Sequence, residues 1–389
     1  MIGKDKNGAV LTSFSYTYSI GSTDTQLRQT MTENDAVASN TYAYAYDALN
    51  RLTQATITAG TGTSYAYTYD SNGNISRRTV GSSTTSYAFN AANELCWAYS
   101  GSSSNSCSST PTGATTYTFD SNGNESGSST GGSFSYNPKN QTTATTYGGS
   151  SLGTLTYLGA DQAQRTVAGS TTFANVSSSA QISTTGGNST YFLRDNRGNP
   201  VGERVGSNHY YFLTDALGSI VAVVSGDGLT VGDRYGYDPY GATTYYSGTI
   251  TNPWGYAGGY TDPTGLIKLG ARYYDPATAR WTQMDPLSQG GPSPCGQTAY
   301  SYAADDPINM TDPSGYFCWQ PWKYWTGVFL INLGIGMILA AWEMFMVILP
   351  LAATAWPVFL FLLIIILVRV AIGVFLIWKG RQYIRESGC

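Results

Sequence analysis

Carboxylates are the abundant candidates for acid–base chemistry in this 389-residue chain, because the sequence contains a single histidine, His209. A hydrolytic site built on serine or cysteine needs a base such as histidine, and His209 lies in a Tyr-rich, strand-like stretch. Two aspartates that lie close together can instead share one proton and serve as general acid and general base. The sequence therefore favours an aspartate pair over a Ser-His-Asp or Cys-His site for any hydrolytic chemistry.

A short phrase recurs along the first half of the chain and predicts the elements that must position such a site. It consists of an aromatic residue, then Asp or Asn, then turn residues such as Gly-Asn or Asn-Arg. The aromatics are 23, 20, 30 and 17 residues apart. They are Tyr46, Tyr69, Phe89, Phe119 and Tyr136. A unit of this length that recurs irregularly indicates an array of supersecondary elements.

Each unit predicts a β-hairpin. The stretch Thr41–Tyr46 alternates tyrosines with smaller residues, so its aromatics would share one face of a strand. In Tyr69-Asp-Ser-Asn-Gly-Asn, Asp is expected to accept backbone N–H bonds, while Gly or Asn adopts positive φ. One hairpin cannot bury its apolar face alone, so neighbouring hairpins must form a continuous sheet.

The composition agrees with a β protein. Tyrosine accounts for 31 residues and glycine for 45, whereas only 11% of the residues are charged, a mixture that suits strands and turns. Disorder is disfavoured because disordered segments are poor in aromatics. The net charge of −4 provides no basic field, so nucleic acid is not an expected partner. No cofactor, metal ion or small-molecule substrate is expected.

Two cysteines and the N-terminus bear on the cellular compartment. Cys96 and Cys107 flank a Ser-rich loop and would form a disulfide in an oxidising compartment, which leaves three cysteines unpaired. Met1 is followed by polar, strand-like sequence rather than an apolar core, so no signal peptide is expected in this chain.

The end of the chain has a different character. Thr326–Leu349 is apolar apart from Asn332 and Glu343, and Val358–Trp378 is apolar apart from Arg369. Each run contains 21 to 24 residues. At a rise of about 1.5 Å per residue, either run is long enough to cross a hydrocarbon core of about 30 Å. The segment is therefore predicted to be a pair of transmembrane helices in a hairpin.

Two charges fall within these apolar runs. Glu343 and Arg369 would lie at membrane depth, where a lone charge costs about 2.5–3.5 kcal/mol or more. Measured along the helices from the turn, they would lie about 10 Å and 18 Å deep. Direct pairing, a water-lined or oligomeric interface, and a simple anchor with both charges satisfied internally all remain open. Asn332, Gly334 and Gly336 offer a small-residue face for close helix contact.

A long ordered string between about residues 190 and 315 resembles a known family. It includes Tyr211-Phe-Leu-Thr-Asp-Ala-Leu-Gly-Ser, Tyr237-Asp-Pro-Tyr-Gly, Gly258-Gly-Tyr-Thr-Asp-Pro-Thr-Gly and Tyr300-Ser-Tyr-Ala-Ala-Asp-Asp-Pro, and closes with Asp-Pro-Ser-Gly315. Together with the Tyr-Asp phrase, this string is similar to the YD repeats and repeat-associated core domain of the Rhs family. That family includes bacterial polymorphic toxins, C subunits of insecticidal Tc toxin complexes and, more distantly, teneurins.

The resemblance implies a domain organisation. Residues 1–189 would be the YD-repeat region, 190–315 the Rhs core domain, and 316–389 a variable segment with helices at about 326–349 and 352–378. The expected fold class is mainly β, a YD-repeat β-hairpin strip that forms a partial shell or barrel, followed by an α-helical transmembrane-like hairpin. In the family, the strip winds into a hollow shell and the core domain plugs one end.

The resemblance also implies a self-cleavage site. Toxin members of the family cut the chain after the final Asp-Pro-x-Gly, a reaction attributed to an aspartyl pair in the core domain. Matching the motifs gives Asp262 and Asp275 as the catalytic pair. The second-tier aspartates are Asp285 and Asp312, and the charge-assisting arginines are Arg272 and Arg280. The cleavage site comprises Gly315, Tyr316 and Phe317.

Two departures from the family pattern and one alternative bear on this site. Thr261 stands where many members carry Arg, so a cation beside Asp262 is missing from the local sequence. Tyr316 stands where Leu is usual. Asp-Pro is also an ordinary turn-starting pair, and each aspartate has a purely structural interpretation.

Two functions follow. In the first, the chain is the C-terminal part of an Rhs-type polymorphic toxin that encapsulates, and releases by aspartyl self-cleavage after Gly315, a membrane-inserting segment. A lipid membrane and a cognate immunity protein would be its partners, and self-cleavage its single enzymatic activity. In the second, the hairpin permanently anchors a YD-repeat protein for cell contact or adhesion, with no cleavage. Both predict membrane association, with export or display at the cell surface.

Overall fold

A computed structural model of the protein describes residues 1–35, 39–159, 162–176, 179–286, 298–316, 321–349 and 356–387. The chain divides into two compact units. Met1–Pro286 and Gly296–Tyr316 form the first unit, and the C-terminal helices belong to the second. The first unit is a β structure, and the second contains a helical hairpin, so the predicted mainly β fold class with a C-terminal helical pair is confirmed.

The strands of the first unit follow one another closely along the chain. The first twelve are β1 (Ile2–Lys4), β2 (Val10–Thr17), β3 (Ser19–Ile20), β4 (Thr23–Asp24), β5 (Thr30–Asp35), β6 (Ser39–Tyr46), β7 (Leu52–Ala59), β8 (Tyr65–Tyr69), β9 (Ile75–Val80), β10 (Ser83–Phe89), β11 (Leu95–Ser100) and β12 (Thr115–Phe119). The next thirteen are β13 (Glu125–Ser128), β14 (Ser133–Tyr136), β15 (Thr142–Tyr147), β16 (Ser150–Tyr157), β17 (Arg165–Ala168), β18 (Thr171–Val176), β19 (Ser179–Thr185), β20 (Asn188–Arg194), β21 (Pro200–Val205), β22 (Asn208–Thr214), β23 (Ile220–Ser225), β24 (Val231–Tyr237) and β25 (Thr243–Ser247). The last four are β26 (Tyr260–Thr261), β27 (Ile267–Leu269), β28 (Arg272–Asp275) and β29 (Arg280–Trp281).

Within the described residues, 23 of these strands form one antiparallel sheet. The strands β3 and β4 pair only with each other, and β26 to β29 form a separate four-stranded sheet. Apart from β3 and β4, each strand from β1 to β24 pairs with the next strand of this sheet along the chain, so that β2 pairs with β5. The sheet is therefore a long meander of hairpins, which we call the strip.

The repeated phrase forms the turns of the strip. Asp70 Oδ1 accepts the amide hydrogens of Asn72 and Asn74, each at 2.9 Å, and Gly73 adopts a φ of 93°. The ladder shifts by one residue immediately before Tyr69, which forms a bulge at the entrance of the turn. The same bonds to the second and fourth following residues begin at Asp47, Asn90, Asp120, Asn137, Asp195, Asp215 and Asp238.

The repeated tyrosines link each hairpin to the preceding one. The Tyr46 hydroxyl donates to the Arg28 carbonyl oxygen at 2.6 Å, and the Tyr69 hydroxyl donates to the Leu52 carbonyl oxygen at 2.6 Å. Both acceptors lie 17 or 18 residues earlier in the chain. Tyrosine therefore recurs because its ring fills the inner face while its hydroxyl satisfies a carbonyl of the neighbouring repeat.

The four-stranded sheet and the loops around it, which we call the core region, pack against the strip. Tyr256, Tyr274, Trp281 and Tyr302 are fully buried together, with the Tyr274 and Tyr302 rings 4.4 Å apart. Contacts with the strip include bonds from Arg78 Nη1 to the Ala277 carbonyl oxygen at 2.9 Å, from the Tyr300 hydroxyl to the Gly123 carbonyl oxygen at 2.7 Å, and from the Arg28 amide to Asn309 Oδ1.

The first and last parts of the strip contact each other. The Lys6 amide donates to the Gly228 carbonyl at 3.0 Å, and the Ala216 amide donates to the Tyr16 hydroxyl at 3.3 Å. The number of repeats in this chain is therefore large enough for its two ends to meet.

The second unit contains two helices, α1 (Pro321–Ile348) and α2 (Trp356–Ser387). Both are long and apolar enough to cross a membrane, judged by length and composition, over Leu330–Val347 and Leu362–Lys379. The first helix begins with proline, whose missing N–H costs nothing in a first turn.

The two helices approach each other closely at Gly334 and Gly373. A Cβ on Gly334 would lie 2.5 Å from the Gly373 carbonyl oxygen, whereas a Cβ on Gly336 would meet nothing within 4 Å. Of the predicted small-residue face, Gly334 alone thus makes this close contact. Glu343 and Arg369 are both exposed on the hairpin, and no ion pair joins them within the described residues. Asn332 is also exposed.

Candidate active site

The aspartates of the core region lie in different environments, and Asp262 is bound by an arginine from the strip. Arg165 Nη1, in β17, lies 2.5 Å from Asp262 Oδ2 and 2.8 Å from the Tyr273 hydroxyl oxygen. Both members of the ion pair are buried. Burial acts against the charge of Arg165, but Asp262 and Tyr273 raise the pKa of the guanidinium above its ordinary value. Arg165, which is distant in the sequence, thus supplies the cation that is missing at position Thr261.

Asp275 is held by hydroxyl groups. Its Oδ2 accepts from the Tyr147 hydroxyl and from Thr278 Oγ1, both at 2.7 Å. Glu125 is a nearby carboxyl group, and burial followed by the charge of Asp275 raises the pKa of Glu125 well above its usual range. Among the described residues no hydrogen bond joins Asp262 to Asp275, so their action as a pair stays a prediction.

Arg272 brings together the other two aspartates and the predicted cleavage site. Its Nη2 lies 2.9 Å from Asp285 Oδ2 and 3.2 Å from Asp312 Oδ2. Its Nε donates to the Gly315 carbonyl oxygen at 2.5 Å, and its Nη1 donates to the Ala299 carbonyl oxygen at 3.1 Å. One buried guanidinium therefore binds two carboxylates and the carbonyl oxygen of the Gly315–Tyr316 peptide bond.

The nitrogen of the same peptide bond lies beside Asp312. The Tyr316 amide donates to Asp312 Oδ1 at 3.1 Å and to Ser314 Oγ at 3.0 Å. Burial raises the pKa of Asp312, the charge of Arg272 opposes this effect, and the charge of Asp285 adds to it. A carboxyl group with raised proton affinity thus lies within hydrogen-bonding distance of the nitrogen that would leave.

Turn geometry accounts for part of this arrangement. In the repeat turn at Asp195, Oδ1 accepts the amide hydrogens of Arg197 and Asn199 at 2.9 Å and 2.8 Å. Asp312 Oδ1 likewise accepts from the amide four residues later. The turn interpretation does not explain why Asp312 Oδ2 binds Arg272, or why Arg272 also binds the Gly315 carbonyl oxygen.

Arg280 lies apart from this cluster. Its Nη1 donates to Asn74 Oδ1 at 2.9 Å and its Nη2 to the Asn93 carbonyl oxygen at 2.6 Å, and burial lowers its pKa to about 10. Although Arg280 is the cross-strand partner of Asp275, its guanidinium anchors two repeat turns. The guanidinium also lies over the Phe89 and Tyr300 rings, at 4.6 Å and 5.0 Å, and its charge-assisting role stays a prediction.

Two residues of these sites were not singled out in the sequence. Arg165 and Tyr147 lie 97 and 128 residues before the aspartates they bind. Neither belongs to the repeated phrase, and no local pattern marks them. Only the packing of the core region on the strip brings them to Asp262 and Asp275.

The remaining predicted positions can be placed briefly. Cys96 and Cys107 form a disulfide with their Cα atoms 5.6 Å apart. Phe317 lies outside the described residues. Within the described ranges no group of three or more His, Cys, Asp or Glu side chains could hold a metal ion.

The meander of Tyr-Asp hairpins packed around a small core sheet defines a YD-repeat protein. The family model "Teneurin YD-shell" matches residues 12–308. The chain belongs to this family, and its predicted membership of the Rhs/YD-repeat group is confirmed.

Parts of the chain are similar to a nuclease and to a toxin subunit. The tRNA(Glu)-specific nuclease WapA of Bacillus subtilis subsp. natto is 30% identical over 132 residues, which cover 33% of this chain and 5% of the nuclease. Toxin subunit YenC2 of Yersinia entomophaga is 34% identical over 97 residues, which cover 24% of this chain and 10% of the subunit. The crystal structure of TcdB2-TccC3-TEV matches the fold with a TM-score of 0.51 and 16% identity, over 81% of this chain and 19% of that one. The chain thus spans a small part of the length of each relative.

Proposed function

We propose that the chain is part of an Rhs-type toxin that cuts itself at the Gly315–Tyr316 bond and releases a membrane-inserting segment. Its family membership and its similarity to a toxin subunit support the general class. The observation that carries the specific proposal is the position of Arg272, which binds Asp285, Asp312 and the Gly315 carbonyl oxygen at once.

The proposed reaction is hydrolysis of one peptide bond. A water molecule attacks the Gly315 carbonyl carbon, and Asp285 accepts the proton that this water loses. Arg272 stabilises the negative charge that develops on the carbonyl oxygen. Asp312, whose pKa is raised by burial, is the proposed donor of a proton to the Tyr316 nitrogen as the C–N bond breaks. The products are a carboxyl group at Gly315 and an amine at Tyr316.

The released segment would act on a lipid membrane. Two spans of 18 residues, with mean hydropathies of 1.8 and 2.5, are each only 11% buried within the protein. Such surfaces are stable in hydrocarbon and costly in water, so a polar enclosure before release would keep the segment soluble. Membrane permeabilisation is the proposed activity, and an immunity protein of the producing cell would be its natural antagonist.

The cleavage is tested by expressing the full chain and determining the N-termini of its fragments. The unmodified chain should yield a fragment that begins at Tyr316. Asp312→Asn and Arg272→Gln should each reduce its formation at least 100-fold, because they remove the proton donor and the oxyanion partner. Asp195→Asn, which changes the same kind of turn at a distant repeat, is the matched control and should be cut normally.

A second variant set separates the two aspartate assignments. Asp285→Asn should block cleavage if Asp285 is the base, whereas Asp275→Asn should leave it intact. The opposite result would return the role to the pair Asp262 and Asp275. If the unmodified chain stays uncut and remains in the membrane fraction, the permanent anchor becomes the better description.

A further inference from the structure

A cavity in the first unit has a strongly one-sided charge. It has a volume of about 360 Å³ and lies between strands of the strip and the core region. Arg165, Arg194 and Lys268 line it, and its lining residues include no carboxylate. Asp262 neutralises Arg165 and Lys268 donates to the Gly270 carbonyl oxygen, so Arg194 is the cation on which the site depends. The cavity also falls within the size range of small-molecule sites.

Arg194 is a partly satisfied cation at this cavity. Its Nη1 donates to the Gly198 carbonyl oxygen at 2.7 Å, and its Nε and Nη2 donate to the Ala180 carbonyl oxygen at 3.1 Å and 2.9 Å. These bonds use three of the five guanidinium N–H groups. Burial lowers the pKa of Arg194 to about 10, so it stays charged at neutral pH although it is partly desolvated.

Trp254 adds an unsatisfied donor and a flat wall. Its ring lies 4.4 Å from the Arg194 guanidinium and 5.2 Å from the Tyr260 ring. Its indole Nε1 is buried and has no hydrogen-bond partner among the described residues. A buried donor without an acceptor is costly, so a ligand that offered an acceptor to this N–H would be favoured.

We propose that this cavity binds a small organic anion in which a phosphate-like head is attached to a flat ring. The forked guanidinium of Arg194 matches the anionic head. The indole N–H offers a further donor, and Trp254 and Tyr260 offer aromatic surface to the ring. The cavity adjoins the proposed cleavage site, because Ser314 and Tyr316 form part of its wall.

Calorimetric titration of the full chain in detergent with phenyl phosphate tests the site. We expect one site per chain with micromolar to low millimolar affinity. Inorganic phosphate should bind at least tenfold more weakly, because it lacks the ring, and benzylamine should not bind, because it is a cation. Equal affinity for phosphate and phenyl phosphate, or binding of benzylamine, would overturn the proposal.

Two variants compare equivalent arginines on neighbouring strands. Arg194→Gln should weaken phenyl phosphate binding at least tenfold. Arg204→Gln is the matched control, because Arg204 also covers an aromatic ring, at 3.9 Å from Tyr191, and donates to the Gly206 carbonyl, but lies outside the cavity. Equal loss in both variants would show that general surface charge, and not the cavity, attracts the anion.

A measurement on the unmodified chain tests the proposal without any substitution, so it remains valid even if a variant misfolds. Phenylglyoxal modifies accessible guanidinium groups, and modified peptides can be quantified by mass spectrometry. Phenyl phosphate at saturation should slow modification of Arg194 at least fivefold while leaving that of Arg204 unchanged. Equal rates with and without phenyl phosphate would contradict the proposal.

Discussion

Replacement of Glu203 by glutamine should stabilise the strip at alkaline pH but not at acidic pH. Glu203, in β21, is completely buried, and neither of its carboxylate oxygens has a hydrogen-bond partner among the described residues. Burial, followed by the charge of Asp233, raises its pKa from an ordinary value of 4.5 to about 8. The folded protein therefore holds this side chain in its neutral form over a wide pH range.

The magnitude follows from proton linkage. Glu203 ionises near pH 4.5 in the unfolded chain and near pH 8 in the folded protein. Between these values the unfolded chain binds fewer protons, so the free energy of unfolding decreases as pH rises. With 1.36 kcal/mol per pH unit, the loss reaches about 4–5 kcal/mol at pH 8 and is absent below the unfolded-state pKa.

The assay compares free energies of unfolding at pH 5 and pH 8, from urea denaturation of the full chain in detergent followed by tryptophan fluorescence. Glu203→Gln cannot ionise, so its stability relative to the unmodified chain should increase by about 3–4 kcal/mol between the two pH values. Glu94→Gln, at a half-buried glutamate in a repeat turn, is the control and should show little change. A Glu203→Gln effect that is the same at both pH values would refute the argument.

Two further predictions concern close contacts. Arg165→Gln leaves the buried Asp262 carboxylate without its cation and should cost about 3–5 kcal/mol of stability in the same urea assay; a cost below 1 kcal/mol would mean that the pair is dispensable. Gly334→Leu should separate the two helices, since its Cβ would lie 2.5 Å from the Gly373 carbonyl oxygen. Gly336→Leu, where a Cβ has open space, should be tolerated. Helix separation can be followed by energy transfer between labels at the two helix termini, and equal effects of both leucines would contradict this packing.

The turns of the strip could be predicted because each is closed by groups a few residues apart. The carboxylate of Asp70, the amides of Asn72 and Asn74, and the positive φ of Gly73 all belong to one five-residue segment. The helical hairpin was predictable for a similar reason, since apolar length is a local property of the sequence.

The contacts between strip and core region were not predictable from local sequence. Asp262, Asp275, Asp285 and Asp312 are all followed by proline, so their immediate neighbours do not distinguish them. What separates them is the partner that the fold brings from elsewhere: Arg165 for the first, hydroxyl groups for the second, and Arg272 for the other two. Residue type restricted the candidates for catalysis to the aspartates, and tertiary packing determined which aspartates lie beside the Gly315–Tyr316 bond.

The hydroxyl-to-carbonyl links from Tyr46 to Arg28 and from Tyr69 to Leu52 join neighbouring hairpins, so recombination that duplicates or deletes a whole unit allows such links to form again between the remaining units. Fixed connections such as the bond from Arg78 to the Ala277 carbonyl oxygen restrict where such events are tolerated, because those hairpins must keep their place relative to the core region. Natural variants of this chain should therefore differ in length by complete units, inserted away from the anchored hairpins.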